Sequence, residues 1–399
     1  RLRALDPDME IVLGGAFANA ETIHADPAAF GARMRRLGLR YVLHAFNSEP
    51  DLRDLLLARR NGTGMESVRN IARIDGRLKD GTFEPGTKHW HKALLSLDEC
   101  PPTWDRLHLP FLNRTIQIRT ASGCPFSCAF CSYPTTAGGW STVEADHVRA
   151  HLDSVMRIPN VDRIIFIDDT FNVPPHRFRE LIRIFAEYRF EWFSFLRVQY
   201  VNEEDVKMMK DSGCAGVYLG IESASDTVLK NMNKRATGKQ FAEGVRLLNK
   251  YDIPYLAAFV LGFPGETDRT IQENIDFIRN NGVRFYSLKE FFYMAHTQVH
   301  EKRAEYGLTG MGSKWAHATM THEDAARIKL DIFQSVSEST HIDPDTSLWY
   351  MAYLYDQGYD FGAIERVQAE INGVMKRQLA TLADAPAWPS ALPTLRAAE

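Results

Sequence analysis

Three of the chain's five cysteines fall in one short stretch, "GCPFSCAFCSYP", at Cys124, Cys128 and Cys131, with Phe130 directly before the last. The spacing is C-x3-C-x2-C. Three thiolates can each hold one iron of a [4Fe–4S] cube and leave the fourth iron open, whereas most clusters that only carry electrons are closed by a fourth cysteine. An open iron is a place where a ligand binds and reacts. The competing reading is zinc, which needs a fourth protein ligand. His147 and His151 are the available histidines, and their spacing from the triad fits poorly.

The rest of the composition narrows the setting. An odd number of cysteines, three of them in one loop, argues against a disulfide framework and for a reducing, cytoplasmic compartment. The 47 basic residues are offset by 51 acidic ones, so the formal charge of −4 gives no sign of nucleic-acid binding. No apolar run approaches the ~18 residues of a membrane span. The opening "RLRALDPDMEIVLGG" reads as a helix end running into a strand, without a start methionine or signal pattern, which predicts an N-terminally truncated chain.

Such a loop has to be held by something rigid. From residue 113, apolar runs alternate with amphipathic segments. Strands are predicted at 115–120, 162–167, 192–198, 216–221, 255–261 and 284–292, each followed by a helical pattern such as "PHRFRELIRIFAEY". Six βα units of this kind predict an α/β fold with an incomplete parallel (β/α)6 barrel. The cysteine loop directly follows the first strand, which puts it at the face where such barrels do chemistry. Upstream, "MEIVLGG", a helix near 27–37, "LRYVLHAF" and a helix near 51–59 give βαβα order, part of a Rossmann-like domain. The expected organisation is a partial α/β domain at 1–60, a Gly- and Pro-rich linker with a hairpin at 61–112, the barrel at 113–305 and a helical C-terminal extension at 306–399.

With these elements in place, "CPFSCAFC" resembles the loop of the radical S-adenosylmethionine (SAM) superfamily, C-x3-C-x-Φ-C with Φ aromatic. The resemblance implies that Cys124, Cys128 and Cys131 bind a [4Fe–4S] cluster, that SAM chelates the open iron, and that Phe130 packs beside adenine. It implies SAM contacts further along: Asp169 in "IIFIDDTFNV", beside Asp168, Arg197 in "FLRVQYV", Glu222 in "YLGIES" and Gly262 in "FVLGFPGET". Three of them have a plainer alternative: a helix cap for Asp169 and Glu222, and a simple turn for Gly262. "DPDMEIVLGGAFAN" resembles the later half of a cobalamin-binding domain, which makes Gly14 and Gly15 candidate cobalamin contacts. Two departures stand out: the D-x-H-x-x-G segment is absent, and the usual G-E-G-E reads "HAFNSE".

The segment after the sixth strand resembles the cobalamin-dependent branch that contains phosphinothricin-type P-methyltransferases. It carries His296, Thr297, His300, Trp315 and His317 as substrate-side candidates. The implied activity is a cobalamin-dependent radical SAM methyltransferase. It would cleave SAM at the cluster and methylate an unactivated carbon or phosphinate phosphorus of a small-molecule or peptide biosynthetic intermediate. Its reductant would be a flavodoxin or ferredoxin. The alternatives are a cobalamin-dependent radical cyclisation or rearrangement and, further off, a non-enzymatic iron–sulfur electron carrier or cobalamin sensor.

Overall fold

The computed structural model describes residues 5–6, 9–15, 18, 27–39, 41–43, 45–64, 68, 70–73, 97–99, 101–104, 114–137, 139–342 and 347–383. Most of the expected linker and the tail after residue 383 lie outside the described residues.

A small sheet comes first. Its strands β1 (Val12–Leu13) and β2 (Tyr41–Leu43) pair in parallel, and β3 (Ile71–Arg73) pairs antiparallel to β2. The helices Pro27–Arg36 and Glu49–Asn61 complete the βαβα order that the sequence predicts. The sheet runs past residue 60, where the sequence suggested an edge, because β3 folds back onto β2.

The main sheet is parallel throughout. It begins with β4 (Thr115–Ile118), which a short antiparallel pair follows, β5 (Ala121–Ser122) with β6 (Ser141–Thr142). Then come β7 (Arg163–Phe166), β8 (Glu191–Leu196), β9 (Cys214–Glu222), β10 (Tyr255–Leu261) and β11 (Phe285–Glu290). All six expected barrel strands are present. A small antiparallel meander follows, β12 (Thr309–Met311), β13 (Lys314–His317) and β14 (Met320–Thr321). The two-residue β15 (Thr340–His341) then adds a seventh parallel strand beside β11. The sheet order is β15-β11-β10-β9-β8-β7-β4.

Side-chain alternation along these strands splits the core in two. On β10, Tyr255, Ala257, Phe259 and Leu261 face the outer helices and join the large core. Leu256 faces the other way, with Ile165, Phe193 and Phe285, into a second cluster with Ile342, Met351 and Ile364. The C-terminal helices Ser347–Asp356 and Phe361–Ala383 therefore cover the lower part of the inner face. Above them the inner face is free to form a site. The described residues beyond 305 include the helices His322–Ser335, Ser347–Asp356 and Phe361–Ala383. The meander and β15 depart from the helical reading because strands of two to four residues leave no legible alternation.

Candidate active site

The cysteine loop leaves the sheet through Gly123, whose φ is +81°. A Cβ there would meet the Gly139 carbonyl oxygen at 1.6 Å, so only glycine fits. Asp168 fixes the chain just before this turn. Its buried carboxylate accepts from the Thr120 and Ala121 amides at 2.6 and 2.9 Å and from the Thr120 hydroxyl. Arg177 donates to the carbonyls of Thr120 and Val143 at 2.8 and 3.1 Å. Burial pushes the Asp168 carboxyl up, and these donors oppose that. Asp168 thus braces the loop from beneath, while its neighbour Asp169 faces the cleft.

Two further segments hold the loop from its sides. The Ala129 amide donates to the Met232 carbonyl at 2.8 Å, and the Val299 amide donates to the Ala129 carbonyl at 2.9 Å. Asn233 donates to the Ser127 carbonyl at 2.8 Å.

The loop closes a cleft, partly open to solvent, at the C-terminal ends of the parallel strands. Cys124, Cys128 and Cys131 all line it, and so do Phe130, Asp169, Arg197 and Glu222. Seven residues named from the sequence therefore converge on one place. Phe130 meets Phe263 edge-on at 6.3 Å. The Asp169 carboxylate faces the Tyr133 hydroxyl without forming a well-shaped hydrogen bond, and burial raises its pKa. Burial also pushes the Cys131 thiol up to about 11, so a proton would be displaced on ligation there.

Arg197 is buried and tightly held. Asn172 clamps its backbone, accepting from the amide at 3.0 Å and donating to the carbonyl at 2.9 Å. Its guanidinium lies 3.6 Å over the Phe126 ring and donates to the Cys128 sulfur at 2.9 Å and to the Lys234 carbonyl at 3.1 Å. Glu222 sits at φ +62° at the end of β9, and its carboxylate accepts from the Lys234 ammonium at 2.9 Å inside the cleft.

Lys234 was not foreseen. It lies in a turn between two helices, within "NMNKRATG", where a lysine reads as solvated. Tyr218 and Gly220 were missed as well, although the alternation that puts Glu222 on the inner face puts both there too.

The remaining named residues lie elsewhere. Gly262 does not line this cleft. Its φ is +84°, and a Cβ there would meet the Trp315 ring at 2.3 Å, so its glycine is explained by close packing of the meander. The His317 ring bonds the Gly262 carbonyl at 3.0 Å and stacks on Trp315 at 5.3 Å, and Trp315 donates to the Phe291 carbonyl at 2.6 Å. These two candidates act here as packing residues, and burial holds the His317 pKa down. The Thr297 hydroxyl donates to the Met294 carbonyl at 2.7 Å, and His300 bonds the Tyr293 hydroxyl at 2.7 Å. His296 is partly buried, which lowers its pKa, and like the other four it is not part of the cleft wall. On the small sheet, the Gly15 amide donates to the Ser48 hydroxyl at 2.9 Å, and a Cβ at Gly14 would approach that oxygen to 3.0 Å. Ser48 belongs to the "HAFNSE" segment, so the glycine turn and the segment that departs from a cobalamin-domain pattern meet at one edge. From the same segment Asn47 donates to Ser122 at 2.9 Å, and Phe46 meets Tyr133 edge-on at 5.4 Å.

The residues fit a thiolate-bound cluster with a charged ligand beside it. Three thiols, a buried guanidinium and an unbonded Tyr133 hydroxyl share one cleft wall. Among the described residues no three His, Cys, Asp or Glu side chains gather closely enough to hold a single metal ion.

Comparison with known proteins agrees with this arrangement. Residues 118–278 match the Radical SAM superfamily. Over 171 residues the chain is 34% identical to "Uncharacterized methyltransferase PH0819" of Pyrococcus horikoshii, covering 42% of this chain and 37% of that protein. It is 29% identical over 185 residues to bacteriochlorophyllide d C-12(1)-methyltransferase of Chlorobaculum tepidum, covering 45% and 40%. The chain thus matches less than half the length of either relative. Among solved structures, the cobalamin-dependent SAM radical enzyme OxsB with aqua-cobalamin bound superposes with a TM-score of 0.63 at 15% identity, over 97% of this chain and 62% of OxsB. At that identity the likeness is one of fold.

Proposed function

We propose, from the premise that this chain carries a radical SAM domain at residues 118–278, that it is a cobalamin-dependent radical SAM methyltransferase. A radical SAM domain implies a [4Fe–4S] cluster and SAM. One observation carries the assignment: the cysteine triad and four candidate SAM contacts line a single cleft at the C-terminal mouth of a parallel sheet. Cluster and SAM together would supply a carbon-centred radical able to remove hydrogen from an unactivated position.

The protein's own task is to bind, orient and keep water out. Cys124, Cys128 and Cys131 would hold three irons. Glu222 offers a carboxylate to an ammonium, and Lys234 and Arg197 offer cations to a carboxylate, which matches the two charges of an amino-acid end. Phe130 and Tyr218 supply apolar wall for an adenosyl group. The edge at Gly14 and Gly15 is the proposed cobalamin contact, a reading supported by the OxsB likeness across nearly the whole chain. The methyltransferase relatives favour methyl transfer. The acceptor is proposed as an sp3 carbon or a phosphinate phosphorus of a small biosynthetic molecule or peptide, because an ordinary nucleophile would need neither cofactor. A flavodoxin or ferredoxin is the proposed electron source. No helix among the described residues is long and apolar enough to cross a membrane.

The test is anaerobic reconstitution with iron, sulfide and hydroxocobalamin, then reduction with SAM and candidate substrates. The expected outcome is 5′-deoxyadenosine, S-adenosylhomocysteine and a product heavier by one CH2. Deoxyadenosine with a product of unchanged mass would replace methyl transfer by cyclisation or rearrangement. Cys128→Ala is expected to abolish deoxyadenosine formation, and full activity in that variant would refute the cluster site.

A further inference from the structure

Arg197 carries a buried charge that no carboxylate of the described residues balances by an ion pair; only 7% of the residue is exposed. A buried guanidinium without an anion costs several kcal/mol, so negative charge is expected beside it, from a deprotonated sulfur or a group bound to one. Its sulfur partner identifies the place. One guanidinium nitrogen stands 2.9 Å from the Cys128 sulfur, the most buried of the three cysteines. Four contacts keep it there: both Asn172 bonds to the backbone, the Lys234 carbonyl, and the Phe126 ring, itself stacked on Tyr200 at 5.8 Å. A side chain meant only to reach out for a soluble carboxylate would not need to be fixed against a sulfur.

We propose that Arg197 is a positioning residue for the redox chemistry of the site. It donates a charge-assisted hydrogen bond to the Cys128 thiolate and raises the midpoint potential of the cluster before SAM arrives. Hydrogen bonds to the sulfurs and nearby charge are among the protein's means of setting such potentials. The inference rests on the cluster reading above. It differs from a SAM-carboxylate role for Arg197, which would change SAM affinity and leave the SAM-free potential alone.

The experiment is a redox titration of the reconstituted full chain without SAM, followed by electron paramagnetic resonance, with iron content measured on each sample. In Arg197→Gln, reduction is expected to become about tenfold less favourable, a fall of about 59 mV for a one-electron couple. Arg197→Lys keeps the charge and loses the planar fork, so a smaller fall is expected. Phe126→Leu keeps the arginine and removes the ring that holds it, and also predicts a smaller fall with iron retained. Should Arg197→Gln fail to hold iron, the other two variants decide. Unchanged potentials in cluster-loaded variants overturn the proposal, even if SAM affinity drops. A wild-type chain with no reducible cluster sinks both this inference and the proposed function, whereas an unshifted potential on an intact cluster sinks the inference alone.

Discussion

Glu266 offers a test of the cleft's support that needs no cofactor. It is fully buried, accepts from the Gly262 amide, and receives a longer bond of 3.4 Å from Asn274. Asn274 in turn accepts from the Ala224 amide at 2.6 Å and the Ser223 hydroxyl at 3.2 Å, the residues directly after Glu222. Burial raises the Glu266 pKa from 4.5 to about 7, against the pull of its two donors. Between these values the folded chain keeps a proton that the unfolded chain has lost. Stability therefore falls as pH rises through that window, and the loss is complete above pH 7. A difference of about 2.5 pKa units corresponds to about 3 kcal/mol in full, of which about 2 kcal/mol falls between pH 5.5 and pH 8. Glu266→Gln keeps an acceptor for Gly262 and removes the titration. Equilibrium urea unfolding of the metal-free chain, followed by tryptophan fluorescence, should show the glutamine variant gaining about 2 kcal/mol on wild type over that interval. Other buried carboxyls, Asp168 among them, affect both proteins alike and cancel in the comparison. A difference between the two that stays flat within about 0.5 kcal/mol from pH 5.5 to 8 would refute a neutral, buried Glu266.

Two further predictions concern the cleft itself. The Lys234–Glu222 pair has side chains only 5% and 14% exposed, so Lys234→Met should cost about 3 kcal/mol by stranding the carboxylate. The double variant with Glu222→Gln should recover most of that loss, and additive effects in the cycle would show that the pair is not coupled. Gly123→Ala has to clear a carbonyl at 1.6 Å from a left-handed backbone, and should lose more than about 3 kcal/mol of stability together with most of its reconstituted iron. Wild-type iron content in that variant would show that the loop entry can be rebuilt at little cost.

What the sequence disclosed depended on whether a residue's role was written in local spacing. The barrel strands were legible because strands of a buried parallel sheet are runs such as "RIIF" and "YLAAFVL", bounded by turns and followed by helical patterns. The cysteines were legible because all three sit in one loop at a fixed spacing. Lys234 had no such mark. Its place in the cleft comes from a turn that folds back 2.9 Å from a carboxylate twelve positions earlier, and the flanking Asn233 and Arg235, both at positive φ, carry no glycine to signal the bend. Trp315 and His317 present the opposite case. Histidine and tryptophan near an expected substrate side read as chemistry, but a meander with strands of two to four residues turns both inward onto Gly262.

That inward packing ties the glycine-rich turn after β10 to the antiparallel meander. The Gly262 amide is held by Glu266 and its carbonyl by His317, while Trp315 fills the space a side chain would take. Through Asn274 the same turn reaches the residues that follow Glu222. The wall of the cleft that carries the Glu222–Lys234 pair is thus braced by a buried polar chain rather than by apolar contact alone. Polar chains of this kind are stiff when every member is satisfied and weak when one is not. A substitution at His317 would free the Gly262 carbonyl without touching the cleft wall, so its effect on a ligand in the cleft would pass through Glu266 and Asn274 or through Phe263, which meets Phe130.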